Sequence, residues 1–347
     1  MDVAYEDRKL HDDGICDGLM GYKEWFHYEG DFFVDEKPLT FVLGFVGSYP
    51  GWGALGWISY DNRKYSLAGN IKDKDHDGFY ELQTLDFGFT PRETGYTLRY
   101  TAKPEPSRIY TGTVNGEYPH YTIGIQTPSI DVEVEMTIKS NTSVAQREIF
   151  PWMPCEKRIA SWFHSGDITT SIKGILADQD ITSASKKNRG WYERTWSKVI
   201  ILWPSEWFFF MTHLDNGAVL DVYIVKSLGI QIHPLDECWL YQQQTFYTFS
   251  DYWAQFPETL EEAIKQREYS RIIGEKIRCG GKNGRDSFSV EATITDFRRY
   301  EFVDYYANIK YTNFVFETEG EALIDGNTID MKGRGIAEWA PMKYWWL

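Results

Sequence analysis

Two short elements that combine acids with aromatic rings occur twice in the sequence. Glu24-Trp25-Phe26-His27-Tyr28 returns as Glu206-Trp207-Phe208-Phe209-Phe210, and Arg189-Gly190-Trp191-Tyr192-Glu193 returns as Arg334-Gly335-Ile336-Ala337-Glu338. In each, bulky apolar residues flank the carboxylate on a predicted strand, which puts the acid in or near a core. A carboxylate there must pair with a cation, accept hydrogen bonds, or keep its proton at a raised pKa. Two roles follow. Paired with Arg189 and Arg334, or with backbone donors, the acids would close a scaffold, and duplication of the motif favours that role. Held protonated against a ligand, one of them would serve as a proton donor. Glu193 is the first candidate donor because Trp191, Tyr192 and Trp196 surround it with rings. Glu338, beside Trp339, Trp345 and Trp346, comes next.

Other constellations are weaker. Asp73-Lys74-Asp75-His76-Asp77-Gly78 has the alternating oxygen ligands and the glycine of half a calcium loop, but Thr84 stands where that loop needs its bidentate Glu. A charged hairpin turn is expected there, with Asp73, Asp75 and Asp77 as a weak metal set. The seven His residues show no metal spacing, and His27 and His213 read as satisfied strand histidines. Cys16, Cys155, Cys238 and Cys279 form no C-x-x-C pair, so neither a disulfide framework nor a structural zinc site is indicated. The sequence has no nucleophile elbow and no Gly-rich phosphate loop; Gly51-Trp52-Gly53-Ala54-Leu55-Gly56 lies in a β run with no helix after it. Hydride and phosphoryl transfer have no support, and no cofactor is expected.

Composition narrows the partners. A net charge of -15 and a pI near 5.0 repel phosphate backbones and anionic membrane surfaces, which excludes nucleic acid. Residues 1–8 hold no basic stretch leading into an apolar run, and no apolar run of about 18 residues occurs, so a cytoplasmic protein without a transmembrane segment is expected. Aromatic residues make up 17% of the chain, including 14 Trp. Such a supply suits β strands with large core fillers, and equally a cavity walled with rings for an apolar small molecule.

The elements that must position these residues are strands. Ile130, Val132, Val134, Met136 and Ile138 alternate with Asp131, Glu133, Glu135, Thr137 and Lys139, giving one dry and one wet face. Similar runs lie at 39–47, 54–60, 79–89, 96–101, 108–114, 198–203, 207–213, 219–226, 243–249 and 287–297. Turn signals at Asn115-Gly116, Asp215-Asn216-Gly217 and Asp325-Gly326-Asn327 separate them. One helix is predicted, from Pro257 through Glu261, Glu262 and Ile264 toward Gly280-Gly281. Between the two motifs, Ser129-Ile130-Asp131-Val132-Glu133 is echoed by Ser287-Phe288-Ser289-Val290-Glu291, so three anchors recur in order, with the longer interval in the first copy.

The set Glu24-Trp25-Phe26-His27-Tyr28, Gly190-Trp191-Tyr192-Glu193 and Gly333-Arg334-Gly335-Ile336-Ala337-Glu338-Trp339 resembles the carotenoid 1,2-hydratase-like family over nearly the whole chain. That family includes the AttH-like proteins and the fungal lipocalin-like Diels-Alderases. The resemblance implies two lipocalin-like β-barrel domains with a pocket within or between them, used without a cofactor on apolar polyenes. In the hydratases, His-x-Trp and Tyr-x-Asp elements are the proposed acid machinery, protonating a terminal double bond before water attacks. Here the first falls on Phe150-Pro151-Trp152 and the second on Trp191-Tyr192-Glu193. Glu193 can still donate a proton, but Phe150 cannot position water, which tells against hydration.

The reading is therefore an all-β protein of two tandem lipocalin-like antiparallel β-barrels, or strongly curved sandwiches, over 1–197 and 198–347, with a helical insertion at about 257–278. The expected function is a cofactor-independent cyclase of isomerase or lyase type acting on an apolar polyene of isoprenoid or polyketide origin, by a pericyclic or an acid-initiated reaction. Glu193, Tyr192 and Trp191 are the expected catalytic residues. Trp152, Trp196, Trp25, Glu24, Trp207, Glu206 and Glu338 are expected to bind substrate. The alternatives are a non-catalytic lipid or polyene carrier and an isoprenoid or carotenoid hydratase with a rebuilt water site.

Overall fold

A computed structural model of the protein describes residues 2–11, 23–48, 51–68, 70–73, 77–80, 85–105, 108–149, 160–197, 206–227, 229–233, 236–303 and 307–344. Trp152, Cys16, Cys155, Asp75, Trp345, Trp346 and the run 198–203 lie outside them. The chain forms two compact units, Met1–Ile201 with Tyr300–Asn308, and Leu202–Arg299 with Ile309–Leu347.

The first unit opens with a short helix, α1 (Val3–Asp7). Its strands are β1 (Lys23–Val34), β2 (Lys37–Ser48), β3 (Gly51–Tyr60), β4 (Arg63–Ser66), β5 (Asn70–Asp73), β6 (Asp77–Tyr80), β7 (Leu85–Pro91), β8 (Tyr96–Glu105), β9 (Arg108–Glu117), β10 (His120–Thr127), β11 (Ile130–Ile138), β12 (Val144–Ile149), β13 (Ala160–Leu176), β14 (Gln179–Ser183) and β15 (Arg189–Ser197). β5 and β6 pair with each other, and the rest pair in the order β4-β3-β2-β1-β15-β13-β11-β10-β9-β8-β7, with β12 and β14 on β13. Strand β11 buries Ile130, Val132, Val134, Met136 and Ile138, as its alternation predicts. The sheet curls until its ends face each other. Trp52 of β3 stacks on Phe87 of β7 at 4.1 Å, and Phe45 of β2 meets Tyr100 of β8 at 5.2 Å. A wall of rings therefore encloses the interior.

The second unit contains β16 (Glu206–Leu214), β17 (Val219–Ser227), β18 (Ile230–Gln231), β19 (Glu237–Gln242), β20 (Thr245–Thr248), β21 (Asp251–Gln255), α2 (Leu260–Gln266), β22 (Lys276–Asn283), β23 (Asp286–Val303), β24 (Ala307–Ile324), β25 (Asn327–Asp330) and β26 (Gly333–Tyr344). Its strands run β20-β19-β17-β16-β26-β24-β23-β22-β21, and α2 packs Leu260, Ala263 and Ile264 into the core.

Strand register shows that the sequence repeat is a structural one. Glu24 pairs with Trp196 and His27 with Glu193; in the second unit Glu206 pairs with Pro341 and Phe209 with Glu338. The offset is the same in both pairs of strands. The third anchor repeats a close contact as well. A Cβ on Gly174 (φ 138°) would lie 2.1 Å from Asp131 O, and one on Gly320 (φ 153°) would lie 2.2 Å from Ser289 O, so both positions demand glycine.

Three local expectations differ from the structure, two of them for one reason. Asn115-Gly116 lies inside β9, and the reversal comes at Tyr118-Pro119. Gly116 serves packing there, because a Cβ would come within 2.4 Å of the Tyr96 ring. The helix expected at 257–278 ends at Gln266, where Arg267 turns left-handed (φ 59°) and its N–H caps Ala263 O and Ile264 O. Gly280 and Gly281, expected beyond its end, lie within β22 under the rings of Trp253 and Phe288. In the run 243–249, Gln243 and Gln244 form a turn with positive φ, and the strand starts at Thr245.

Candidate active site in the first barrel

Successive side chains of a strand point to opposite faces, and this pleat divides the expected catalytic residues. On β15, Tyr192 and Trp196 join the barrel core with Arg194 between them, while Trp191, Glu193 and Thr195 occupy the other face. On β1, Glu24, Phe26 and Tyr28 face inward and Trp25, His27 and Glu29 outward. Trp191, Tyr192 and Glu193 are adjacent in sequence but belong to two different clusters.

The interior cluster is built around residues from before the first strand. Asp2 caps α1, accepting from Tyr5 N at 3.2 Å, and Val3 and Asp7, one turn apart, are the buried residues of the helix. Asp7 accepts a hydrogen bond from Tyr192 on one oxygen (2.5 Å) and from Tyr121 on the other (3.0 Å). The chain of phenols continues from Tyr192 to Tyr96 (3.3 Å) and from Tyr96 to Tyr28 (2.5 Å). Beside it, Arg194 forms a fully buried ion pair with Glu24, donates to Lys9 O at 3.0 Å, and lies 3.5 Å over the Phe26 ring. His11 completes the set. Its Nδ1 lies 2.9 Å from Glu24 Oε1, its Nε2 2.9 Å from Glu6 Oε2, and its ring stacks on Trp196 at 3.8 Å.

Burial governs the protonation states. It pushes the Asp7 carboxyl up to about 6, against the hydrogen bonds of Tyr192 and Tyr121 and the charge of Arg194. The same burial raises Tyr28, Tyr96, Tyr121 and Tyr192, so all four phenols keep their protons and remain donors. For Glu24 burial acts upward, but the Arg194 charge and the His11 hydrogen bond outweigh it and hold the acid ionised.

On the opposite face, Glu193 lies between two imidazoles, with His27 Nδ1 at 3.9 Å and His164 Nε2 at 3.6 Å, and it accepts from Thr195 Oγ1 at 2.6 Å. His27 Nε2 sits 3.1 Å from Glu29 Oε1, and the Trp25 and Trp191 rings lie 5.5 and 5.1 Å from the His27 and His164 rings. Burial lowers His27 to about 4 despite the attraction of Glu193. Burial would raise Glu193, yet the hydrogen bond and charge of His164, with His27 and Thr195, hold it below the ordinary value. It is ionised, which suits a base or a partner for positive charge more than a proton donor.

The expected residues of the second unit have partners within that unit. Glu206 is partly exposed and pairs with Lys226 at 3.0 Å, and Trp207 packs 6.2 Å from the Tyr311 ring. Buried Glu338 accepts from Tyr311 and from Asn313 Nδ2. Asp73 closes β5 and Asp77 opens β6, and the calcium-like loop between them falls outside the described residues. Sequence reasoning missed Asp7, His11, Tyr28, Tyr96, Tyr121, Arg194 and His164. Tyr28 and Arg194 sat inside or beside the motifs, and the two-residue strand period would have assigned them to the Tyr192 face. Nothing in the sequence linked the segment before β1 to the interior.

No protein-family profile and no curated protein matches the sequence. Solved structures do. A crystal structure of CghA with Sch210972 aligns with a TM-score of 0.55 at 11% identity, over 93% of this chain and 88% of that one. A putative AttH from Nitrosomonas europaea aligns with 0.52 at 13% over 91% and 92%, and kievitone hydratase from Nectria haematococca with 0.51 at 9% over 94% and 92%. Among the described residues no helix is long and apolar enough to cross a membrane. At such identities the likeness is one of architecture, and the chain has the tandem lipocalin-like all-β fold of these proteins.

Proposed function

We propose that the protein is a cofactor-independent cyclase of an apolar polyene and that its chemistry takes place inside the first barrel. The observation that carries this reading is the convergence of four protonated phenols, Tyr28, Tyr96, Tyr121 and Tyr192, with Arg194 in an interior otherwise walled by aromatic rings. Rings such as Phe26, Trp196 and Phe45 supply shape, holding a flexible chain in a folded, reactive conformer; such ordering is worth up to roughly 7–11 kcal/mol in the best intramolecular cases. The phenols supply fixed dipoles. A hydrogen bond from Tyr192 to an oxygen conjugated with the polyene draws electron density from the reacting carbons and needs no solvent reorganisation. Glu24 holds Arg194 in place. On the other face Glu193, with His27 and His164, ties β1, β15 and β13 together and acts as a positioning residue. CghA with its bound small molecule and a hydratase on the same fold are consistent with an enzymatic role for such barrels.

Native mass spectrometry of the purified protein identifies a co-purified apolar molecule, and incubation with its acyclic precursor tests turnover. Tyr192→Phe is expected to lower turnover about 100-fold, the usual cost of one preorganised donor, while Glu193→Gln retains most of it. Recovery of the precursor unchanged at stoichiometric protein would instead identify a carrier. Near-complete loss in Glu193→Gln alone would move the chemistry to the other face and reverse the assignment.

A further inference from the structure

The groups that occupy the first barrel's polar interior belong to the chain's own N-terminal segment. Two phenols of the wall, Tyr192 and Tyr121, donate to the Asp7 carboxylate. The Arg194 guanidinium donates to the Lys9 carbonyl. The Trp196 indole stacks against the flat His11 ring, with 5° between the planes. An acid, a carbonyl and a planar conjugated ring are thus presented to a wall whose own groups all stand on strands of the sheet. The wall also offers more than the segment takes: Arg194 Nε, fully buried, has no hydrogen-bond partner among the described residues.

The two sides of this contact differ in strength. The wall belongs to a continuous antiparallel sheet. The segment is a helix of five residues, too short to persist without its docking contacts. Among the described residues its backbone is tied to the rest of the unit by His11 N donating to Glu24 Oε2 at 3.1 Å and by Lys9 O accepting from Arg194.

We propose that residues 2–11 are a built-in stand-in for the ligand and leave the barrel when it binds, and that the ligand is an organic acid carrying a planar conjugated chain. The ligand's acidic oxygens take the place of the Asp7 carboxylate on Tyr121 and Tyr192, a further oxygen engages Arg194, and its conjugated part lies on Trp196. Occupancy by the segment scales the apparent affinity down to the intrinsic affinity multiplied by the fraction of molecules in which the site is open. This inference rests on the interior of the first barrel being the substrate site.

All-trans-retinoic acid, with retinol as the matched polyene lacking the acid, is a suitable probe for the full-length protein. Retinoate is expected to bind at least about tenfold more tightly than retinol, and Asp7→Ala, which unfastens the segment, to raise retinoate affinity by about another tenfold. Hydrogen exchange at the Tyr5, Glu6 and His11 amides of the wild-type protein should accelerate when retinoate is bound. Binding that Tyr192→Phe weakens, with protection of those amides unchanged, overturns the displacement and leaves the interior site standing. Binding indifferent to Tyr192→Phe overturns both readings. Failure of retinoate to bind Asp7→Ala that retains the wild-type circular dichroism spectrum overturns the ligand class.

Discussion

Tyr28, Tyr192 and Arg194 of the first barrel stand where the second has Phe210, Ala337 and Trp339, a correspondence fixed by the common register of the motif strands. Around the second set the contacts are apolar: Phe210 stacks on Phe316 at 4.5 Å, and Trp339 lies 5.2 Å from Phe256. Each interior also receives a helix of matching character. In the second unit α2 delivers Leu260, Ala263 and Ile264; in the first α1 delivers Val3 and a carboxylate. A charge buried without partners is costly, so an interior that holds Arg194 requires Glu24, and one lined with phenols requires acceptors. The frame is shared, and what fills it has followed two separate logics.

The largest expected effect comes from breaking the buried pair. Glu24→Gln leaves Arg194 uncompensated and should cost about 3–5 kcal/mol in urea unfolding, whereas Glu206→Gln at the equivalent position, partly exposed beside Lys226, should cost less than about 1 kcal/mol. Equal losses would mean that the two interiors do not differ energetically as they do chemically.

Next comes Asp7, whose carboxyl is raised from 3.8 to about 6 among Tyr28, Tyr96, Tyr118, Tyr121, Tyr192 and Arg194. The folded state binds more protons than the unfolded one between these values. The favourable contribution of protonated Asp7 is therefore complete below 3.8 and is lost as pH rises through about 6. By pH 7 the loss amounts to about 3 kcal/mol. Asp7→Asn carries no such charge and should flatten the fall in stability between about pH 4 and 6, read from urea midpoints across that range. An unchanged slope would show that Asp7 is not buried as an acid.

The smaller effects test what the barrels share. Gly174→Ala and Gly320→Ala each force a side chain into left-handed backbone against a carbonyl, at roughly 1–3 kcal/mol. The two costs should agree to within about 1 kcal/mol, and a clear inequality would weaken the structural equivalence of the third anchor.

Much of the frame was legible because it is written in alternation. The run at 130–138 and the three anchors depend only on a period of two and on order along the chain. The chemistry was less legible because it follows the same period across strands. Reading Trp191, Tyr192 and Glu193 as one group ignored the pleat that separates them. Asp7 and His11 were invisible because neither belongs to a periodic element, and their partners lie as far as 185 residues away in sequence. Glycine misled twice for one physical reason, since Gly116 and Gly280 make room for the Tyr96 and Trp253 rings on neighbouring strands.

The pleat of β15 has a consequence for redesign. Its even-numbered positions, Tyr192, Arg194 and Trp196, write the interior, and its odd-numbered positions, Trp191, Glu193 and Thr195, write the far face. The two alphabets can be edited separately. On β26 the interior alphabet reads Ala337, Trp339 and Pro341, so a polar set transplanted there, with Phe210→Tyr on β16, would also have to bring a buried carboxylate for the new guanidinium and acceptors for the new phenols.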